Sequence, residues 1–123
     1  VCCAFVGQAF AATSIPQAYR YLVDGQCGIY SYPTTNTLLL SGTTVASQNV
    51  SRITVEVSLQ YWNGVQWVTL KTAIFTDTNT WRVSGTWAVK ATPGYWYRAY
   101  CRHTVYHAGT LESGISITSA ITL

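Results

Sequence analysis

From Ile53 to Gln60 every second residue is aliphatic: Ile53, Val55, Val57 and Leu59 alternate with Thr54, Glu56, Ser58 and Gln60. Successive side chains leave opposite faces of a strand, so this order makes a ribbon with one apolar and one polar side. A helix would scatter the same residues around its circumference. Asn63-Gly64 follows, a pair that takes up the positive φ values of a tight hairpin turn. A two-residue turn there pairs Leu59 with Val68 and Val57 with Leu70, and sets Glu56 opposite Lys71. In that register the apolar partners share one face, and the opposite charges add a small favourable pair on the other.

The alternation continues along the chain. Residues 28–32 and 37–46 read as shorter strands separated by Pro33, and Trp81, Val83, Trp87 and Val89 alternate with polar or small neighbours. Thr92-Pro93-Gly94 makes a turn, residues 95–106 form a long aromatic strand, Ala108-Gly109 breaks it, and residues 115–123 give a last strand. Only residues 15–23 offer a helical turn, with Pro16 limiting it. About seven strands in a chain sized for one domain predict an all-β, single-domain antiparallel β-sandwich of the immunoglobulin or fibronectin type.

Residues 1–11 are apolar and uncharged and close on Ala9-Phe10-Ala11, the small-x-small pattern of a signal-peptidase site. They are expected to be the C-terminal part of a signal peptide, leaving a mature domain over 12–123 in an oxidising, extracellular setting. Of the four cysteines, Cys2 and Cys3 would leave with the peptide, and Cys27 and Cys101 would remain. Two cysteines in an exported domain commonly pair, and closing a loop of about 75 residues contributes roughly 4 kcal/mol in the chain-entropy model. Two separate buried thiols are the alternative. If residues 1–11 stay, Cys2 and Cys3 form an arm able to cross-link neighbouring subunits. After Ala11 no apolar stretch reaches the length of a membrane span.

Chemistry-bearing groups are few. Charged residues are 9% of the chain against 49% apolar, and the four acids are Asp24, Glu56, Asp77 and Glu112, with no closely spaced carboxylate pair for glycosidase chemistry. No nucleophile elbow, phosphate loop or zinc-protease helix occurs. His103 and His107, beside Cys101, are ligand types, but on a strand they stand about 13 Å apart along the chain, so no metal or other cofactor is assigned. A Cys101/His103 nucleophile pair is set aside because an exported thiol with a partner forms a disulfide. The chain is therefore expected not to be an enzyme.

The binding candidate is the outward side of the long aromatic strand: Trp96, Arg98, Tyr100 and Arg102, continued by Thr104 and Tyr106. Alternating rings and guanidinium groups can stack on sugars while pairing with acidic groups; ordinary cross-strand packing produces the same pattern. Trp62 and Trp67 flank the hairpin turn as a second aromatic platform. A net charge of +3 favours anionic surfaces mildly and calls for no specific nucleic acid.

Residues 38–121 resemble a family of small secreted proteins of unknown function from clostridia and related Gram-positive bacteria. The similar features are Leu40-Ser41-Gly42-Thr43-Thr44-Val45-Ala46, Ile53-Thr54-Val55-Glu56-Val57-Ser58-Leu59-Gln60 with Asn63-Gly64, Gly94-Tyr95-Trp96-Tyr97-Arg98, His103, and Gly109-Thr110-Leu111-Glu112-Ser113. The resemblance implies a signal peptide and an all-β domain, and it transfers no activity and no functional residue. The resulting expectation is a secreted, non-catalytic protein that binds an extracellular glycan or cell-wall polymer. The alternative is a self-assembling structural subunit of an extracellular filament or surface layer, built through strand edges that few charges protect.

Overall fold

A computed structural model describes residues 8–10, 12–14 and 19–123. The expected signal-peptide cleavage at Ala11, the cysteine arm at Cys2 and Cys3, and residues 15–18 of the expected helical turn lie outside the described residues; at the other end of that turn Leu22 and Val23 are already in a strand. The chain is all-β and antiparallel: β1 (Gln8–Phe10), β2 (Ala12–Ser14), β3 (Leu22–Tyr32), β4 (Thr37–Trp62), β5 (Trp67–Lys90), β6 (Trp96–His107), β7 (Thr110–Ile117) and β8 (Ile121–Thr122). All belong to one hydrogen-bonded sheet in the order β1-β3-β4-β6-β7-β2, with β5 on β4 and β8 on β6, curled strongly into a half-barrel. Among the described residues no helix is long and apolar enough to cross a membrane.

The curl comes from two very long strands that bend together. The first part of β4 pairs with β3 and the end of β5, from Thr37↔Lys90 to Val45↔Arg82. Its second part pairs with β6 and the start of β5. Between them the register jumps from Val45↔Arg82 to Val50↔Thr80, and Asn79 sits at φ 53°, a left-handed value that Asn tolerates. An irregularity of this kind bends both strands and increases their twist, so the two halves of the ribbon face each other.

The bend also shifts the alternation. Leu38, Leu40 and Thr44 point inward before it, and Ile53, Val55, Val57 and Leu59 after it. These meet Leu22, Ile29, Val83, Val89, Tyr97, Ala99 and Val105 in one core. Gly42 sits where the halves come closest: a Cβ there would stand 2.6 Å from Val57 and 2.8 Å from Val55. Beside it the Cys27–Cys101 disulfide joins β3 to β6 with the Cα atoms 5.8 Å apart, and both residues are buried. The two cysteines are therefore paired.

The hairpin register differs from the sequence expectation. The loop holds four residues, 63–66, between Trp62↔Trp67, with Tyr61↔Val68 and Gln60↔Thr69, and a bulge then sets Leu59 opposite Lys71. Asn63 Oδ1 accepts the Val65 and Gln66 N–H groups at 2.8 Å each, and the Asn63 N–H donates to the Gln66 carbonyl at 3.1 Å. Gly64 takes φ 99° but Asn63 stays out of the left-handed region, so the two-residue turn does not form. Leu70 is left exposed, and Glu56 lies opposite Ile74 instead of Lys71. By contrast, the turn at Ala108-Gly109 takes positive φ at both residues and joins β6 to β7 through His107↔Thr110.

Candidate functional site

β6 alternates as its sequence requires. Tyr97, Ala99, Cys101, His103 and Val105 are buried, and Trp96, Arg98, Tyr100, Arg102, Thr104 and Tyr106 face outward. The register places Gln60 opposite Arg98, Ser58 opposite Tyr100 and Glu56 opposite Arg102. Gln60 and Ser58 in turn stand opposite Thr69 and Thr72 of β5, so three strands contribute to one face.

Arg98 is the anchor of this face. Its Nε–H donates to Gln60 Oε1 at 2.7 Å, and its guanidinium carbon lies 4.4 Å from the centre of the Trp67 ring. Partial burial pulls its pKa below the ordinary arginine value, and the neighbouring Tyr100 pulls it back up. The charge is thus held flat against an indole, a cation–π arrangement that leaves other guanidinium donors for a partner. Arg102 reaches Glu56 with Nε 3.8 Å from Oε1, both side chains well exposed, so this pair is weak and easily exchanged for an external anion. Further along, the Arg52 guanidinium lies 5.2 Å from the Tyr106 ring centre.

The two platforms expected from sequence are therefore one. Trp67, carried on β5, stacks under Arg98 of β6, and Trp62 makes an edge contact with Trp67 at 5.5 Å between centroids. Trp96 is 52% exposed, one residue outside the last β4–β6 pair, Tyr61↔Tyr97. Around the end of the sheet, Tyr61, Leu70, Thr92, Tyr95 and Tyr97 line a shallow open groove of about 190 Å³. Tyr61 and Tyr95 meet edge-on at 5.5 Å, and Tyr95 meets Tyr97 at 6.4 Å. The Tyr97 hydroxyl donates to the Thr92 carbonyl at 2.6 Å and accepts the Thr92 N–H at 3.1 Å; burial raises its pKa despite the bond to Thr92. Sequence reading missed Tyr61 and Tyr95, which stand on the inward alternation and just outside the strand, where no outward-face pattern marks them.

The burial of two polar residues named in the sequence analysis, His103 and Glu112, was not foreseen there. His103 is 0% exposed, with Nδ1 2.8 Å from Thr44 Oγ1 and Nε2 2.8 Å from Ser116 Oγ. Thr44 donates its own proton to the Thr54 carbonyl at 3.0 Å. Ser116 Oγ also lies 3.2 Å from the Gly25 carbonyl, and its one proton is shared between that oxygen and the nearer ring nitrogen. A neutral ring with Nδ1–H donating to Thr44 and Nε2 accepting from Ser116 fits the shorter contact, and the tautomer is assigned on that ground. Burial lowers the His103 pKa to about 4, against a smaller upward pull from Asp24. The Ser–His contact has the reach of a nucleophile–base pair, but both side chains are sealed in the core, away from any substrate. Glu112 is likewise buried and accepts the backbone N–H groups of Arg20, Tyr21 and Leu22.

His107 lies apart from His103, its ring edge-on to Tyr21 at 5.0 Å and its Nδ1 accepting the Ser51 N–H at 3.2 Å. Among the described residues no three His, Cys, Asp or Glu side chains gather as metal ligands would. No protein-family model matches the chain, and no curated protein matches it. The arrangement offers flat rings, fixed cationic edges and a shallow groove, which suit contact with an extended ligand better than enclosure of a small one.

Proposed function

We propose that this is a secreted, non-catalytic protein whose β4–β5–β6 face binds an extracellular glycan or cell-wall polymer. The observation that carries the proposal is the Arg98 guanidinium held over Trp67 by Gln60, with Trp62 and Trp96 exposed further along β4 and β6. Sugar rings stack on such indoles, while Arg98 and Arg102 take acidic or hydroxyl groups of the chain. A covalent bridge between Cys27 and Cys101 is compatible with an exported protein and supports that part of the reading. In this reading the facing halves of the curled sheet serve as the two layers of a sandwich, and the resemblance to small clostridial secreted proteins holds for residues 38–121.

The test is binding on a glycan array and pulldown on isolated cell walls. The parent chain should bind an acidic or amphipathic polysaccharide, and the Trp96→Ala/Tyr100→Ala double variant should lose most of that binding. Equal binding by both proteins removes this face from consideration, and turnover of any substrate in a broad hydrolase panel ends the non-catalytic reading.

A further inference from the structure

Among the described residues one side of the β5 backbone is open. Among the described residues it pairs with β4 alone, over its 24-residue length, while the other strands that end the sheet, β1, β2 and β8, have three, three and two residues. Long open edges are ordinarily blunted with proline, lysine or bulges. The stretch Thr72-Ala73-Ile74-Phe75-Thr76 carries no such device, and it lies in the straight part of β5, where pairing with β4 runs without a break from Leu59↔Lys71 to Ile53↔Asp77. Ile74 at its centre is 61% exposed.

The charges flanking this stretch are placed symmetrically. Lys71 and Asp77 each stand three residues from Ile74, on the same side of β5, and both are exposed. Neither is in an ion pair among the described residues, since Glu56 is taken by Arg102 and Asp77 Oδ1 accepts only the Thr78 N–H at 2.8 Å. A two-fold axis through Ile74, perpendicular to the sheet, sets a second β5 antiparallel to the first. Ile74 then meets its own copy, Ala73 meets Phe75, Thr72 meets Thr76, and Lys71 meets Asp77 at both ends. Every pair is complementary in size or charge, and the side-chain faces match, as continuation of a sheet requires.

We propose that two copies of this chain pair through β5 in this register, forming a closed dimer with a continuous sheet across the axis. Isologous pairing uses up the open edge, so assembly stops at two instead of growing into a filament. The axis keeps the outward faces of both copies on the same side. Arg102 and its copy stand five strand spacings apart, about 24 Å, so the dimer presents two binding faces to one polymer. The double face rests on the proposed function; the dimer itself does not.

Sedimentation equilibrium on the full chain tests the pairing without any polymer, so loss of the binding reading leaves this result standing. The parent should be a dimer. Asp77→Lys and Lys71→Asp each place like charges opposite one another twice and should raise the dimer Kd about tenfold. The Lys71→Asp/Asp77→Lys double variant restores both pairs and should return Kd to within about threefold of the parent. Circular dichroism of each variant should match the parent, because both side chains are exposed. Under mild oxidation Ile74→Cys should give a 74–74 cross-linked peptide, and Thr78→Cys, which faces Leu70 of the copy, should not. A monomeric parent, larger polymers, a double variant as weak as the singles, or equal cross-linking at 74 and 78 would each overturn the proposal.

Discussion

The carboxylate of Glu112 on β7 holds the backbone of Leu22 at the start of β3, its Oε1 accepting the Leu22 N–H at 2.8 Å across ninety positions of sequence. The same oxygen accepts from Tyr21 at 2.9 Å and the other from Arg20 at 3.0 Å, so one side chain fastens the segment that leads into the sheet. Charge-assisted bonds to buried amides are among the stronger ones, and removing the acceptor strands the donors. Glu112→Ala should cost roughly 2–4 kcal/mol in urea unfolding. Amide exchange at Arg20, Tyr21 and Leu22 should accelerate before that of β4. Unchanged exchange at these three amides would show that the carboxylate does not hold them.

Acid should destabilise the protein through His103 and Glu112 together. Burial holds the His103 pKa at about 4, below its ordinary 6.5, so between these values the unfolded chain binds a proton that the folded one refuses. The stability tied to the neutral ring is complete above pH 6.5 and lost as pH falls to 4, about 3 kcal/mol in all. For Glu112, burial raises the pKa but the three backbone donors and Arg20 outweigh it, leaving a net lowering. Its contribution is present above the ordinary carboxylate value and disappears as pH falls through the folded value. Melting temperature should fall steadily below pH 6.5, and His103→Gln should flatten the part of that fall between pH 6.5 and 4. A profile identical in that variant would place the titration elsewhere.

The Cys27–Cys101 bond joins residues 74 apart in sequence and links β3 to β6 beside Gly42. Reduction should lower stability by roughly 4 kcal/mol in the chain-entropy model and expose β3 to protease before β4 and β5. Intact mass of the purified protein without reductant should show this bond. Two alkylatable thiols at Cys27 and Cys101 in freshly collected material would contradict it.

The sequence carried the faces of the strands better than their connections. Ile53, Val55, Val57 and Leu59 are all buried, and the outward series from Trp96 to Tyr106 is outward, because period two follows from strand geometry alone. The same period cannot tell two strands from one that bends, so residues 37–62, read as two strands with a polar gap, run as β4 through the bulge at 46–49. Asn63-Gly64 marked the hairpin but not its register, which Asn63 sets by capping two amides with its side chain. Trp62 and Trp67 stand beside the turn as expected, yet the stacking of Trp67 with Arg98 depends on the order of β5, β4 and β6, which no local pattern encodes. The burial of Glu112 and His103 was missed for a related reason: a polar residue is taken to face water unless its distant partners are known.

Gly25 packs directly against His103, since a Cβ on Gly25 would collide with the imidazole ring. The ring is held by Thr44 on β4 and Ser116 on β7, so it cannot swing aside without breaking a buried hydrogen bond. Gly25→Ala should therefore destabilise by about 2–3 kcal/mol, the range for overpacking a well-filled core. His103→Ala removes the obstacle at its own cost, leaving a cavity and taking one hydrogen bond each from Thr44 and Ser116. In that background Gly25→Ala should cost little, because the new methyl enters the vacated space. A double-mutant cycle by urea unfolding should give a coupling of about 2 kcal/mol in the favourable direction. Additive losses would mean that the imidazole yields freely to Gly25→Ala and that the Thr44–His103–Ser116 chain is not rigid.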